Sequence, residues 1–110
     1  MKHEVYHGWW EHRGDVEESF DVDLPAAVRV LFASYDGDAS TEAFVLFQQE
    51  GALYEVTGAW SGSAGLEGQW EPERTTLAAL RHRLDHGLLL RAAFTEEADH
   101  ALRAVLDRRS

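Results

Sequence analysis

The stretch that decides the fold is residues 28–59, which read VRVLFASYDGDASTEAFVLFQQEGALYEVTGA. Three segments within it, 28–35, 42–48 and 52–59, are rich in β-branched and aromatic residues, and turn-forming residues separate them. Such segments form β-strands, and a short loop that contains glycine joins neighbouring strands as an antiparallel hairpin. The sequence therefore predicts a three-stranded antiparallel meander.

Two amphipathic helices are predicted on the C-terminal side of the meander. Thr75 or Thr76 can cap the first helix, leucines recur at helical spacing through residues 77–84, and Gly87 is typical of a helix end. A second apolar stripe at helical spacing, in residues 98–106, predicts the last helix of the chain.

The remaining segments complete the fold prediction. Residues 88–94 suit another short strand. Residues 1–24 carry features of both a strand and a helix, and we favour a short helix that ends before Pro25. A chain of 110 residues has the length of a single domain, so residues 1–110 are assigned to one. We therefore predict an α+β domain with a small antiparallel sheet of about three to four strands and two C-terminal helices on one face.

Composition argues against several classes of protein. The formal net charge of −10 disfavours general nucleic-acid binding and attachment to anionic membranes, because both depend on Lys and Arg side chains. No apolar run approaches the ~20 residues that cross a bilayer, and the N-terminus lacks the apolar run of a signal peptide. The absence of cysteine is compatible with a reducing cytosol. We expect a cytoplasmic protein, and nine arginines against one lysine suggest a bacterial or phage origin.

Residues 60–74 are predicted to form a loop. Its most distinctive part, from Trp60 to Glu73, combines two tryptophans with several glycines and serines. Tryptophan anchors interfaces because it buries a large area, and glycine lets a backbone approach a ligand closely. The candidate contact residues are Trp60, Ser61, Ser63, Glu67, Gln69 and Trp70. The structural alternative is a long connection whose tryptophans anchor it to the core and whose glycines form turns.

Few side chains are candidates for catalysis or metal binding. Glu67, Glu71 and His82 can supply acid–base groups, but the sequence identifies no nucleophile beside them. His82 and His86 have the spacing of two metal ligands on a helix, yet the glutamate of the zinc protease motif is absent. Solvent-exposed histidines are the simpler interpretation, so we predict neither a metal site nor a cofactor.

Three stretches stand out together, LYEV at residues 53–56, GLEGQWEPE at 65–73 and LRHRL at 80–84. They resemble a group of short bacterial and phage proteins of uncharacterised function. Those proteins carry His-Cys-Ser-Cys-Tyr before the Gly-Leu-Glu-Gly-Gln-Trp motif, whereas residues 60–64 of this chain read WSGSA and lack the His and both Cys. Because hydroxyls replace thiolates poorly, a metal- or thiol-based role of that loop would be lost here. The shared stretches would then be a scaffold or a partner surface.

The leading hypothesis is a non-enzymatic binding module that contacts a protein partner through the Trp60–Glu73 loop and the adjacent helix. The acidic charge favours a basic patch on that partner. The sequence also allows a homodimer through a sheet edge or the helix pair. Two other classes remain open, namely a small metal-dependent or acid–base hydrolase and an acidic nucleic-acid mimic that acts as an inhibitor. The hydrolase requires Glu67, Glu71 and His82 to converge in one pocket, and the mimic requires its acids to cluster on one face.

Overall fold

The computed structural model describes residues 4–35, 42–59, 65–86 and 96–109, and these ranges contain five strands and three helices. In chain order the elements are β1 (Val5–Gly8), α1 (Arg13–Phe20), β2 (Arg29–Tyr35), β3 (Glu42–Gln49), β4 (Ala52–Ala59), β5 (Glu73–Thr75), α2 (Leu77–Asp85) and α3 (Glu96–Arg109). The predicted α+β class, the meander and the two C-terminal helices are confirmed. Within these ranges no helix is long and apolar enough to cross a membrane.

The five strands form one mixed sheet in the order β1-β2-β3-β4-β5. The pairs β2–β3, β3–β4 and β4–β5 are antiparallel, whereas β1 runs parallel to β2, with Val5 opposite Phe32. Parallel strands need a crossover connection, which α1 provides in a βαβ arrangement. The prediction of an antiparallel sheet of three to four strands was therefore wrong at both edges, where it omitted β1 and β5.

A β-bulge in β2 places two adjacent residues on the same face of the sheet. Val30 pairs with Phe47 and Phe32 pairs with Leu46, so Leu31 is an extra residue in this strand. As a result Leu31 and Phe32, although adjacent in sequence, belong to the same apolar cluster. The alternation of side chains between the two faces of the sheet is thus shifted by one residue in the middle of the strand.

The sheet lies between two apolar cores. The first core, beneath α1, comprises Trp10, Val16, Phe20, Val28, Val30, Ala33, Tyr35, Ala43, Val45, Phe47, Val56 and Leu66. The second core, beneath α2 and α3, comprises Leu31, Phe32, Phe44, Leu46, Leu80, Leu84, Ala98, Leu102, Val105 and Leu106. The two C-terminal helices share one face as predicted, and α1 covers the opposite face.

The short helix that we predicted before Pro25 is confirmed as α1. The Asp15 carboxylate accepts hydrogen bonds from the backbone N–H groups of Glu11 (2.7 Å) and His12 (3.2 Å), which satisfies donors at the helix start. Val16 and Phe20 lie one turn apart and are both buried. The helix ends at Asp21 in the left-handed conformation (φ 56°).

The segment between β4 and α2 differs from its prediction in one respect. Residues 73–75 belong to β5, which pairs with Leu53–Glu55 of β4, although we predicted a loop as far as residue 74. Thr76 caps α2 as predicted, since its Oγ1 accepts a hydrogen bond from the Ala79 N–H at 3.1 Å. Gly87 and the predicted strand at 88–94 lie outside the described residues.

Candidate functional site

The Gln69 side chain completes the open edge of the sheet beside β4. Its Oε1 accepts a hydrogen bond from the Ala59 N–H (2.8 Å), and its Nε2 donates to the Ala59 carbonyl (2.9 Å). The same Nε2 also donates to the Gly65 carbonyl at 2.8 Å. A side-chain amide thus stands in for a neighbouring strand and fixes the end of the loop to the end of β4.

Leu66 and Trp70 attach the same segment to the first core. A Cβ added at Gly58 would lie 3.1 Å from Leu66 Cδ2 and 3.2 Å from Phe20 Cε1, so glycine permits this close approach. The Trp70 ring stacks on Phe47, with centroids 5.6 Å apart, and meets Phe20 edge to face at 5.1 Å. Trp70 and Gln69, both candidate contact residues, therefore act as anchors of the loop.

The Gln69→Ala variant is expected to lose about 1–2 kcal/mol of unfolding free energy, because three hydrogen bonds disappear and water can replace some of them. Gln69→Glu keeps the shape but cannot donate to the Ala59 and Gly65 carbonyls, so a similar loss is expected. Urea denaturation measures both variants, with the exposed Glu71→Ala as a control that should stay within about 0.5 kcal/mol. A Gln69→Glu variant as stable as the parent would contradict the proposed role of the amide.

Glu67 differs from Gln69 and Trp70 because its side chain is exposed and lines a cleft. The cleft has a volume of about 360 Å³, and α1 and the residues after β1 form its other walls. The lining residues are Trp9, Trp10, Asp15, Glu18, Ser19, Tyr35 and Glu67. An adjoining depression of about 170 Å³ shares Ser19, Tyr35 and Glu67 with it. We call these two connected spaces the acidic cleft.

The acidic cleft lies beyond the carboxyl ends of the two parallel strands. Trp9 and Trp10 follow β1, Tyr35 is the last residue of β2, and the Trp9 N–H donates to the Tyr35 carbonyl at 2.7 Å. Because β1 and β2 are parallel, their carboxyl ends and the residues that follow them lie at the same end of the sheet. Crevices at this position are frequent ligand sites in proteins with parallel strands.

Aromatic rings form one wall of the acidic cleft. Trp9 is 55% exposed and is the one large hydrophobic side chain in the described part of the chain that is exposed. Its ring meets Tyr35 edge to face, with centroids 5.6 Å apart, and Tyr35 in turn contacts Trp10 at 5.3 Å. The Trp10 indole N–H donates to Ser19 Oγ at 2.9 Å, which ties this wall to α1. The exposed indole is therefore supported from behind by buried rings.

Carboxylates occupy two other sides of the acidic cleft. Asp15 and Glu18 lie three residues apart on α1 and share a helix face, while Glu67 comes from the loop. The backbone N–H of Glu11 holds the pKa of the Asp15 carboxyl below its ordinary value, and that of His12 adds to the effect, so Asp15 is ionised at neutral pH. Burial raises the pKa of the Tyr35 phenol, which stays neutral. Within the described ranges, no three His, Asp or Glu side chains are grouped as metal ligands.

The negative charge continues from the acidic cleft along α1. A second groove of about 270 Å³ shares Glu18 with the cleft and is lined by Glu17, Glu18, Asp21, Val22 and Asp23. We call the exposed acids Glu18, Asp21 and Asp23 together with Asp15 and Glu67 the acidic strip. Residues 4–24 contain seven acids and one arginine, and the Arg13 guanidinium donates to the backbone carbonyls of Leu24, Pro25 and Val28.

On the opposite face, arginines of the two C-terminal helices form ion pairs. Helices α2 and α3 together contain five acids and five arginines. Ion pairs join these helices to each other and to the sheet, namely Arg81–Asp107, Arg83–Glu55 and Arg103–Asp85. Residues 4–24 thus carry six of the ten net negative charges of the chain, and they include every acid of the acidic strip except Glu67.

The structure separates the three catalytic candidates. Glu67 lines the acidic cleft beside α1, whereas Glu71 is exposed before β5. His82 is exposed on α2, which covers the other face of the sheet. Its ring lies 4.2 Å from that of His86, which is also exposed, as predicted for solvated helix residues. The candidates Trp60, Ser61 and Ser63 lie outside the described residues.

Sequence reasoning missed most of the acidic cleft and found only Glu67 among its lining residues. The missed signals were a tryptophan pair at the end of a strand and acids three residues apart on a helix. Comparison of the chain with models of known families, with characterised proteins and with solved structures gave no match. The resemblance based on residues 53–84 therefore stays a prediction.

Proposed function

We propose that this protein is a non-enzymatic binding module that docks a basic segment of a partner protein along the acidic strip, with one cationic side chain in the acidic cleft. The observation that carries the proposal is the meeting of an exposed indole and three carboxylates, from two separate segments, in a single cleft. A surface that only keeps a protein soluble needs the carboxylates but not the indole.

The chemistry of the acidic cleft matches a cation. The face of a tryptophan ring attracts a cation by about 0.5–1 kcal/mol at an exposed site, and carboxylates add charge-assisted hydrogen bonds. Trp9 and Glu67 supply these two contributions from different walls. The acidic strip extends the attraction beyond the cleft, which steers a basic partner to this face and speeds the encounter.

The proposal modifies the role of the Trp60–Glu73 loop. Glu67 reaches the acidic cleft, and Gln69 and Trp70 hold the loop in the position that makes this possible. The contact roles of Trp60, Ser61 and Ser63 stay predictions. The hydrolase and the homodimer also stay predictions. Glu67 and His82 are on opposite sides of the sheet, and the edge strands β1 and β5 are only four and three residues long in the described ranges.

A twelve-residue fluorescent peptide with alternating arginine and serine, measured by anisotropy at low salt, tests the proposal. Trp9→Ala and Glu67→Gln should each weaken binding by about three- to tenfold, because the first removes the indole face and the second removes a carboxylate charge. Glu71→Gln removes the same charge outside the cleft and should leave the affinity within about twofold. Binding that falls with added salt but responds equally to Glu67→Gln and Glu71→Gln would contradict a defined cleft.

The charge distribution also favours a second candidate, the acidic nucleic-acid mimic. This candidate requires the acids to lie on one face, and the five carboxylates of the acidic strip support it. The mimic would bind a DNA-binding protein through carboxylates alone. Two results would distinguish the mimic from the basic-segment module. Double-stranded DNA would compete with the mimic for the DNA-binding protein, and Trp9→Ala would leave the affinity for that protein unchanged.

A further inference from the structure

We infer that the cation recognised in the acidic cleft is the guanidinium of an arginine side chain in preference to a lysine ammonium. The inference rests on the proposed function and specifies its ligand. It follows from the number of walls that carry acceptors, from the aromatic surface beside them and from the way in which one carboxylate is held in place.

The carboxylates stand on two different walls of the acidic cleft. Asp15 and Glu18 come from α1, and Glu67 comes from the loop after β4. A guanidinium carries five N–H donors in one plane and can donate to acceptors on two sides at once. An ammonium is a compact point charge that retains its water more strongly, so it gains less from acceptors that are spread around it.

The aromatic wall adds a second preference for arginine. A planar guanidinium stacks on an indole face and is weakly hydrated, so its transfer to a partly enclosed site costs less than that of an ammonium. Trp9 presents exposed indole surface, and Trp10 and Tyr35 support it from the buried side. The guanidinium can stack and donate hydrogen bonds at the same time, because its planar face contacts the indole and its N–H groups point outward in the plane.

Asp15 is prepared to accept a hydrogen bond before any ligand arrives. One carboxylate oxygen, Oδ2, already accepts the backbone N–H groups of Glu11 and His12, which fixes the orientation of the group. The other oxygen, Oδ1, lies 3.7 Å from His12 Nε2, and the His12 side chain is 71% exposed. A carboxylate that is already oriented loses less conformational entropy on binding.

Other cations fit this cleft less well. A metal ion needs several ligands that converge on one point, and the described ranges contain no such group of three His, Asp or Glu residues. A trimethylated ammonium has no donors for the carboxylates of Asp15, Glu18 and Glu67, and it is usually held in a cage of aromatic rings. The donor-rich planar cation is therefore the best match.

Three peptides of the form Lys-Gly-Xaa-Gly-Lys, identical except for the central residue, test the preference. The central residue is arginine, lysine or citrulline, so that the flanking lysines keep the attraction to the acidic strip the same and citrulline keeps the shape of arginine without its charge. Calorimetric titration at fixed salt should give an affinity for the arginine peptide about three- to fivefold above that for the lysine peptide. The citrulline peptide should bind more weakly than either.

Variants separate this inference from the proposed function. The arginine preference should disappear in Trp9→Ala and in Glu67→Gln and should persist in Glu71→Gln. Equal affinity for the arginine and lysine peptides, with both still weakened by Glu67→Gln, would overturn the inference and leave the binding module in place. Peptide affinities that are unchanged in both Glu67→Gln and Trp9→Ala would overturn the module and the inference together. Far-ultraviolet circular dichroism of each variant checks that it is folded.

Discussion

Replacement of Phe20 by alanine is expected to lower the free energy of unfolding by about 3–5 kcal/mol, the largest loss that we expect from a single substitution. Phe20 is fully buried on α1, and its ring contacts Trp10 and Trp70 at centroid distances of 6.0 and 5.1 Å. It also lies beside Gly58 of β4. The truncation therefore opens a cavity where α1, residues 66–70 and the sheet meet, and relaxation of one of them cannot close it.

Urea denaturation followed by tryptophan fluorescence measures this loss as a lower midpoint with an unchanged slope. Phe20→Leu, which keeps most of the volume, should cost only about 1 kcal/mol. Trp9→Ala removes a larger ring but one that is exposed, so its effect should stay near 0.5 kcal/mol. A loss below about 1 kcal/mol in Phe20→Ala would mean that α1 does not pack against the loop as described.

The sequence predicted those elements whose pattern is local. The strands β2, β3 and β4 each have seven or eight residues, enough to show their composition clearly, and α2 and α3 repeat leucine or alanine at helical spacing. The edge strands gave no comparable signal. β5 has three residues, two of them charged, and β1 has four residues whose partner lies 27 positions further along the chain. A parallel pairing across a helix leaves no local pattern in the sequence.

The acidic cleft was missed for a related reason. Its walls come from three segments, at residues 9–19, 35 and 65–67, that only the parallel crossover brings together. Residue types were also a poor guide to which of residues 65–70 face the cleft. Gln69 and Trp70 are residue types that often contact ligands. Here the Gln69 amide is hydrogen-bonded to the backbone of β4, and the Trp70 ring stacks on Phe47. Glu67 makes no such contact with the described residues, and its side chain lines the cleft.

The second large effect is expected from Arg83→Met, at about 2–3 kcal/mol of unfolding free energy. Arg83 Nη1 donates to Glu55 Oε2 at 2.6 Å, across the contact between α2 and β4. The Glu55 side chain is only 10% exposed, so removal of the arginine leaves a nearly buried carboxylate without its counter-ion. We expect less than the 3–5 kcal/mol of a fully buried pair because Arg83 itself remains 30% exposed.

Arg81→Met is the matched control, because it removes an arginine from the same helix whose pair with Asp107 is exposed (37% and 69%). Its cost should stay within about 0.5 kcal/mol. The double variant Glu55→Leu with Arg83→Met should recover most of the stability, since the loss in Arg83→Met comes from the unpaired charge and not from missing volume. If Arg83→Met and Arg81→Met had equal effects in urea denaturation, Glu55 would have to reach solvent, and α2 would be held to the sheet by its leucines alone.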